Sequence, residues 1–220
     1  MLNNKTVIVT GANGALGRAV CDVAEEYGAR TIRLDIVFSD QSDNCHEIDL
    51  TDAAAVTGLL GELGHFDAVL NIAGGFAMGE PAHAGSDAQW DLMFALNVTT
   101  LRNMVKAAVP VLLDNGGGSI VNIGAYGARE GQSDMSAYCA SKSVVMRLTE
   151  SLANELREQG INVNAVLPTV IDTPVNRQGM PDADFSAWVA TRDLANVICF
   201  LASDAAKAMH GALVPVRGLS

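Results

Sequence analysis

The sequence predicts an α/β fold, with one doubly wound parallel sheet and helices on both faces, in a single domain spanning 1–220. Three observations predict it. Short apolar runs alternate with segments of helical period along the whole chain, a glycine-rich turn closes the first run, and an acidic residue ends the second. In order, strands are expected at TVIVT (6–10), TIRLD (31–35), AVLN (68–71), SIVNI (119–123), INVNAVL (161–167) and ALVPV (212–216). Their near-continuous apolar character suits a parallel sheet buried on both faces. Helices are expected near 15–27, 53–63, 87–113, 136–159 and 193–202. The one long non-periodic segment, 169–191, is too long for an ordinary connection and is expected to act as a substrate lid.

Composition removes several function classes. The chain of 220 residues is 49% hydrophobic and 18% charged, which suits a folded core and not disorder. Its net charge of −11 argues against a nucleic-acid partner, because such binding needs clustered lysine and arginine to neutralise phosphates. Cys21, Cys45, Cys139 and Cys199 form no C-x-x-C pair and no metal-ligand cluster with the histidines. That pattern suits reduced thiols in a cytoplasmic protein with no metal site, and Cys139 is expected to serve helix packing. No stretch approaches the length of a membrane span, so no membrane association is expected.

The first chemical signal is TGANGALG, Thr10 to Gly17, at a strand-to-helix turn. Gly11, Gly14 and Gly17 suit a tight turn, close approach of backbone to a pyrophosphate and close helix packing, with the helix N-terminus facing the negative charge. Asp35 lies 18 positions after Gly17, close to the spacing at which a carboxylate accepts hydrogen bonds from a cofactor ribose. It would repel a 2′-phosphate and so favour NAD(H) over the phosphorylated form. The alternative is a plain strand-end turn residue, and Arg33 on the same strand face could soften the discrimination.

The second signal is YCASK. On a helix, Tyr138 and Lys142 share a face, so the ammonium is expected to lower the phenol pKa and make Tyr138 a useful proton donor. Y-x-x-x-K also occurs by chance on surface helices. Here it follows a strand in a chain already carrying a dinucleotide signal.

Over essentially its whole length the chain resembles the short-chain dehydrogenase/reductase family, a Rossmann-type fold. The matching stretches are TGANGALG, Asp35, DLTD, NIAGG, LNV, SIVNI, YCASK, PTVIDTP and HGALVPVRG. The resemblance implies Asn13, Leu16, Asp49 and Leu50 beside the cofactor and Asn71, Ala73 and Gly74 supporting its trough. It also implies Lys142 on the nicotinamide ribose, with Pro168, Val170 and Thr173 near the carboxamide. Asn97 would support a water next to Lys142. A homodimer or homotetramer formed through long helices such as 87–113 and 136–159 is implied by the same analogy. Two positions depart from the pattern: Ala15 replaces a frequent loop glycine, and Ala125 replaces the usual catalytic serine thirteen residues before the tyrosine.

One branch accommodates the second departure. Dihydropteridine reductases are similar in GALG, in AGG followed by an aromatic, here Phe76, in a small apolar residue at the Ala125 position, and above all in LPTVIDTPVNRQGMPDADFSAW. Phe76 stands where the animal enzymes carry a tryptophan, and Asn97 follows the general family. The resemblance implies an NADH-dependent reduction of quinonoid dihydropterin or a similar electron-poor cyclic small molecule, with Phe76, Ala125 and Tyr126 at the substrate. Carbonyl reduction concentrates charge on one oxygen, where losing one donor costs about 2.7–4 kcal/mol. A quinonoid ring spreads that charge, so the tyrosine proton suffices. Two alternatives stay open: a general carbonyl or alcohol oxidoreductase with Tyr126, Ser133 or Ser136 as the missing donor, and a catalytically idle NAD(H)-binding regulator.

Overall fold

The computed structural model describes residues 1–38 and 42–220. Seven parallel strands form one sheet in the order β3-β2-β1-β4-β5-β6-β9, comprising β1 (Thr6–Thr10), β2 (Arg30–Asp35), β3 (Cys45–Glu47), β4 (Ala68–Asn71), β5 (Gly118–Ile123), β6 (Ile161–Pro168) and β9 (Leu213–Val216). Every expected strand is present, and β3 is an addition. Order reverses between β1 and β4, so a crevice opens beyond their carboxyl ends, the usual ligand position in such sheets.

The apolar runs dictate the layers. Val7 and Val9 of β1 pack with Leu16, Val20 and Val23 of α1 (Ala15–Glu26) and with Leu194 and Ile198 of α7 (Thr191–Leu201). On the other face, Ile8 and Ile32 pack with Val56 and Leu60 of α2 (Ala53–Leu63) and Leu101 and Met104 of α4 (Thr100–Asp114), together with Val145 of α5 (Ser136–Leu156). Truncating one such side chain to alanine typically costs about 2–5 kcal/mol.

Two features depart from the expected pattern. The helix expected at 87–113 is interrupted: α3 (Asp87–Phe94) passes through a π-helical stretch, Ala95–Thr99, before α4 begins. The segment 169–191 is not structureless. It holds β7 (Ile171–Asp172) and β8 (Val189–Ala190), which pair in parallel, with α6 (Pro174–Gly179) between them. A bidentate contact from Arg177 to Asp172, at 2.6 and 2.7 Å, and the Arg177 guanidinium over the Phe185 ring tie it together.

The two asparagines inside β6 have a clear role. Asn162 Nδ2 donates to the carbonyls of Lys207 and Met209, Asn164 Nδ2 donates to Met209, and the Ala212 amide donates to Asn164 Oδ1. They fasten the turn that delivers β9, satisfying buried polar groups that would otherwise be costly.

Candidate active site

A cleft of about 1230 Å³ runs along the carboxyl edge of the sheet from Asp35 to the segment 169–191. That exceeds the about 300–1,000 Å³ of a typical small-molecule pocket and suits a dinucleotide plus substrate. It is lined by the glycine turn, by the loop after β4, by Ala125 and Tyr126 after β5, by Tyr138 and Lys142, and by Val170, Thr173, Val175, Asn176 and Met180 of the segment 169–191.

The glycine turn is shaped for close approach. A methyl at Gly17 would sit 2.0 Å from the Gly11 carbonyl oxygen, and Gly11, at φ +63°, would meet the Ala73 backbone at 2.9 Å. Gly14 has ordinary φ and only one contact, at 3.3 Å, so its own backbone does not require glycine. No side chain caps α1 at Gly14, which leaves first-turn N–H groups for a ligand anion. Asp35 is held by the Asn13 amide at 2.8 Å and the Ile36 amide at 2.7 Å. Arg33, expected near that carboxylate, turns instead to Glu25 at 2.8 Å, and among the described residues no cationic side chain pairs with Asp35. Asp49 accepts from the Thr51 amide and hydroxyl, which keeps its carboxyl below the usual range. Asn103 of α4, not foreseen from sequence, donates to the carbonyls of Leu50 and Thr51 and pins this wall.

Deeper in, Lys142 Nζ donates to the Ile123 carbonyl at 2.8 Å. Burial pulls its pKa down from 10.5 to about 8. Burial, with a smaller push from Cys139, drives Tyr138 up to about 12, which corrects the expected lowering of the phenol by its lysine. Desolvation wins, and Tyr138 stays protonated at neutral pH, the form a proton donor requires. The Phe76 ring stands against Tyr138, and Cys139 packs with Ala125, Met146 and Leu167.

Asn71 and Asn97 are not at the cleft wall. They border a small cavity of about 10 Å³ behind it, with Lys142, Thr10 and Asn122. Asn97 Oδ1 accepts from the Gly75 amide at 2.9 Å, and its Nδ2 donates to the Gly75 carbonyl and the Ser141 hydroxyl. Its side chain therefore clamps the loop after β4 to α5. Gly74 lies in that clamp: a methyl there would be 2.7 Å from Asn97 Oδ1 and 3.3 Å from Lys142 Nζ. Asn71 Nδ2 donates to Asn122 Oδ1, and Asn122 passes the chain to Thr149. Of the three residues weighed as a replacement for the absent serine, Tyr126 lines the cleft, whereas Ser133 and Ser136 do not.

A doubly wound parallel sheet with its cleft at the order reversal, a cradle of close-approach glycines and a tyrosine–lysine pair together define a dinucleotide-dependent oxidoreductase. The chain belongs to the short-chain dehydrogenase/reductase family: residues 3–218 match the family model described as enoyl-(acyl carrier protein) reductase. It is similar to 2-(S)-hydroxypropyl-CoM dehydrogenase 3 of Xanthobacter autotrophicus, with 29% identity covering 99% of this chain and 96% of that one. Sorbitol dehydrogenase of Cereibacter sphaeroides is 32% identical over 78% of this chain and 72% of its own. Among solved structures, the aldohexose dehydrogenase of Thermoplasma acidophilum matches with a TM-score of 0.90 at 27% identity, covering 99% and 94% of the two chains. A candidate 2-deoxy-D-gluconate 3-dehydrogenase of Agrobacterium tumefaciens with bound NADP matches with 0.89 at 30%, covering 99% and 96%. Among the described residues no helix is long and apolar enough to cross a membrane.

Proposed function

We propose that the protein is an NADH-preferring reductase of quinonoid dihydropterin or a similarly electron-poor cyclic substrate. The observation that carries this reading is Ala125, buried in an apolar cluster with Leu167 and Met146 beside Tyr138, so that its position offers no second proton donor. The relatives named above are described as dehydrogenases of other substrates. The pterin assignment therefore rests on Ala125, Phe76 and the lid sequence.

The cleft residues fit the cofactor. Asp35 would take the adenosine ribose, the Gly11–Gly17 turn the pyrophosphate, and Lys142 the nicotinamide ribose, with Pro168, Val170 and Thr173 at the carboxamide. When bound, NADH supplies a hydride from its nicotinamide ring. Tyr138, whose phenol burial keeps protonated up to about pH 12, donates the accompanying proton to a ring nitrogen, and Phe76 offers the substrate an apolar face. The segment 169–191 covers the substrate as a lid and excludes water. Exposed Leu92, Leu113 and Val144 lie on the helices through which a homodimer or homotetramer would form.

A second reading, reduction of a simple carbonyl, is favoured by one contact. Arg217 Nη1 donates to the Tyr126 hydroxyl at 3.4 Å and aids that hydroxyl as a donor in place of the absent serine. One experiment separates them: NADH and NADPH oxidation followed against quinonoid dihydropterin, a quinone and a simple ketone. The first reading expects turnover of the pterin, with NADH bound at least tenfold more tightly than NADPH. A protein inert toward the pterin and active on the ketone overturns it.

A further inference from the structure

Two guanidinium groups share one aromatic ring at the outer edge of the cleft. Arg217 lies 4.6 Å and Arg129 lies 5.0 Å from the centroid of the Tyr126 ring. They come from distant parts of the chain: Arg129 closes the short turn after β5, and Arg217 directly follows β9. Both are exposed. Arg217 Nε also donates to the Ser220 main-chain oxygen at 3.0 Å.

Among the described residues neither guanidinium has a carboxylate side chain within ion-pair distance, although the chain has 25 carboxylates for 14 lysines and arginines. Arg33, Arg147, Arg177 and Arg192 each hold one. Like charges gathered on one ring repel each other, and the group that would relieve them is an anion. The ring they share lines the cleft next to Ala125 and packs on the same apolar cluster as Tyr138. Arg129 and Arg217 do not line the cleft themselves but flank the ring of Tyr126, which does, so a substrate with its reacting atom at Tyr138 would meet them where it extends past Tyr126.

We propose that Arg129 and Arg217, presented on Tyr126, form a specificity site for an anionic substituent, a carboxylate or sulfonate, carried by the substrate away from its reacting atom. Guanidinium suits this role because its planar fork matches such oxyanions through paired hydrogen bonds. The inference rests on the reading of Tyr138 as the proton donor and, among electron-poor cyclic substrates, favours those that carry an acidic substituent over the unsubstituted ring. The competing account is a purely structural fastening, in which the two cations pin β9 to the turn after β5.

The test is equilibrium binding, which needs no turnover. Protein saturated with NAD⁺, so that the pyrophosphate site is filled, is titrated with naphthalene-2-sulfonate and with the neutral naphthalene-2-sulfonamide. The sulfonate should bind at least tenfold more tightly at low salt, and the preference should shrink as salt rises. It should fall below twofold in the Arg129→Ala/Arg217→Ala variant and stay above threefold when both residues are lysine. Phe76→Ala should weaken both probes alike, placing them in the cleft. Equal binding of the two probes by the parent, or a preference that survives the double alanine variant, overturns the site. A parent inert toward quinonoid dihydropterin that keeps the charge preference overturns the proposed reaction and leaves this site standing.

Discussion

The ring of Phe76 meets the ring of Tyr138 edge-on, with centroids 4.8 Å apart and planes at 79°. Phe76 lines the cleft and is 55% exposed, so its ring is accessible to a ligand. An aromatic face contributes on the order of 1 kcal/mol to a stacked or edge-packed ring. Phe76→Ala should raise KM for quinonoid dihydropterin about fivefold while changing NADH affinity by less than twofold. Steady-state kinetics and fluorescence titration read the two, and an unchanged KM would remove Phe76 from the substrate face.

Burial raises the Tyr138 pKa from 10 to about 12 and so keeps the phenol protonated well into alkaline pH, and the substitution that removes only its hydroxyl is the cleanest test of its role. Tyr138→Phe should lower turnover by roughly a hundredfold or more, the scale of general acid catalysis, and leave NADH binding nearly intact. Unchanged turnover would sink the mechanism.

Ala125→Ser restores a hydroxyl beside Tyr138. Reduction of a quinonoid ring should change by less than about threefold, since charge spread over several atoms gives one donor little to stabilise selectively. Weak activity toward a simple ketone should rise by tenfold or more, because there the charge is localised on one oxygen. Comparison of kcat/KM on the two substrates decides it, and a large gain on the pterin alone would contradict the account.

Lys142 is buried with no carboxylate partner among the described residues. Its folded pKa of about 8 lies below the ordinary 10.5, so between those values the folded protein sheds a proton that the unfolded chain keeps. Stability therefore carries its full penalty below about pH 8, and the penalty fades as pH rises toward 10.5. By linkage the penalty is roughly 3 kcal/mol. Lys142→Met should raise the melting temperature of the cofactor-free protein at pH 7 by about 5 °C or more, with little gain left at pH 10, and should abolish turnover. A melting temperature at or below the parent's would contradict the penalty.

The glycine turn gives an internal comparison. Gly17→Ala forces a methyl against the Gly11 carbonyl at 2.0 Å, whereas Gly14→Ala meets only one atom at 3.3 Å. In calorimetry without cofactor, Gly17→Ala should melt at least 5 °C lower, and Gly14→Ala should fall within about 2 °C of the parent. Equal melting temperatures would show that the turn relaxes freely.

The strands of the sheet and the close-approach turn were legible because runs such as TVIVT leave no other way to bury both faces, and because glycine spacing is local information. The strand Cys45–Glu47 was not, since three partly exposed residues without apolar alternation carry no periodic signal. Tyr138 and Lys142 do line one cleft, but their electrostatics were misjudged: proximity in sequence suggests Coulombic help, while desolvation depends on segments brought in from elsewhere in the chain, such as β5 and the loop after β4. Asn71 was expected to support the cofactor trough, and its side chain bonds Asn122 behind the cleft. Asn97 was expected to support a water next to Lys142, and those two residues border one water-sized cavity, a placement that its clamp on Gly75 and Ser141 did not announce in the sequence. Asn103 and the grouping of Tyr126, Arg129 and Arg217 were invisible because their partners lie far away along the chain.

The π-helical stretch at Ala95–Thr99 amounts to one surplus residue lodged in an otherwise continuous helix. Each residue turns an α-helix by about 100°, so everything on one side of the stretch is rotated by that amount relative to the other. Asn97 reaches Gly75 and Ser141 from inside this offset, and Leu101 and Met104 face the core beyond it. No single substitution can undo such an offset; only a deletion can. Removing one residue there would restore an unbroken α-helical ladder while swinging either the amide clamp or the core face out of place, giving a more regular helix and a less capable protein.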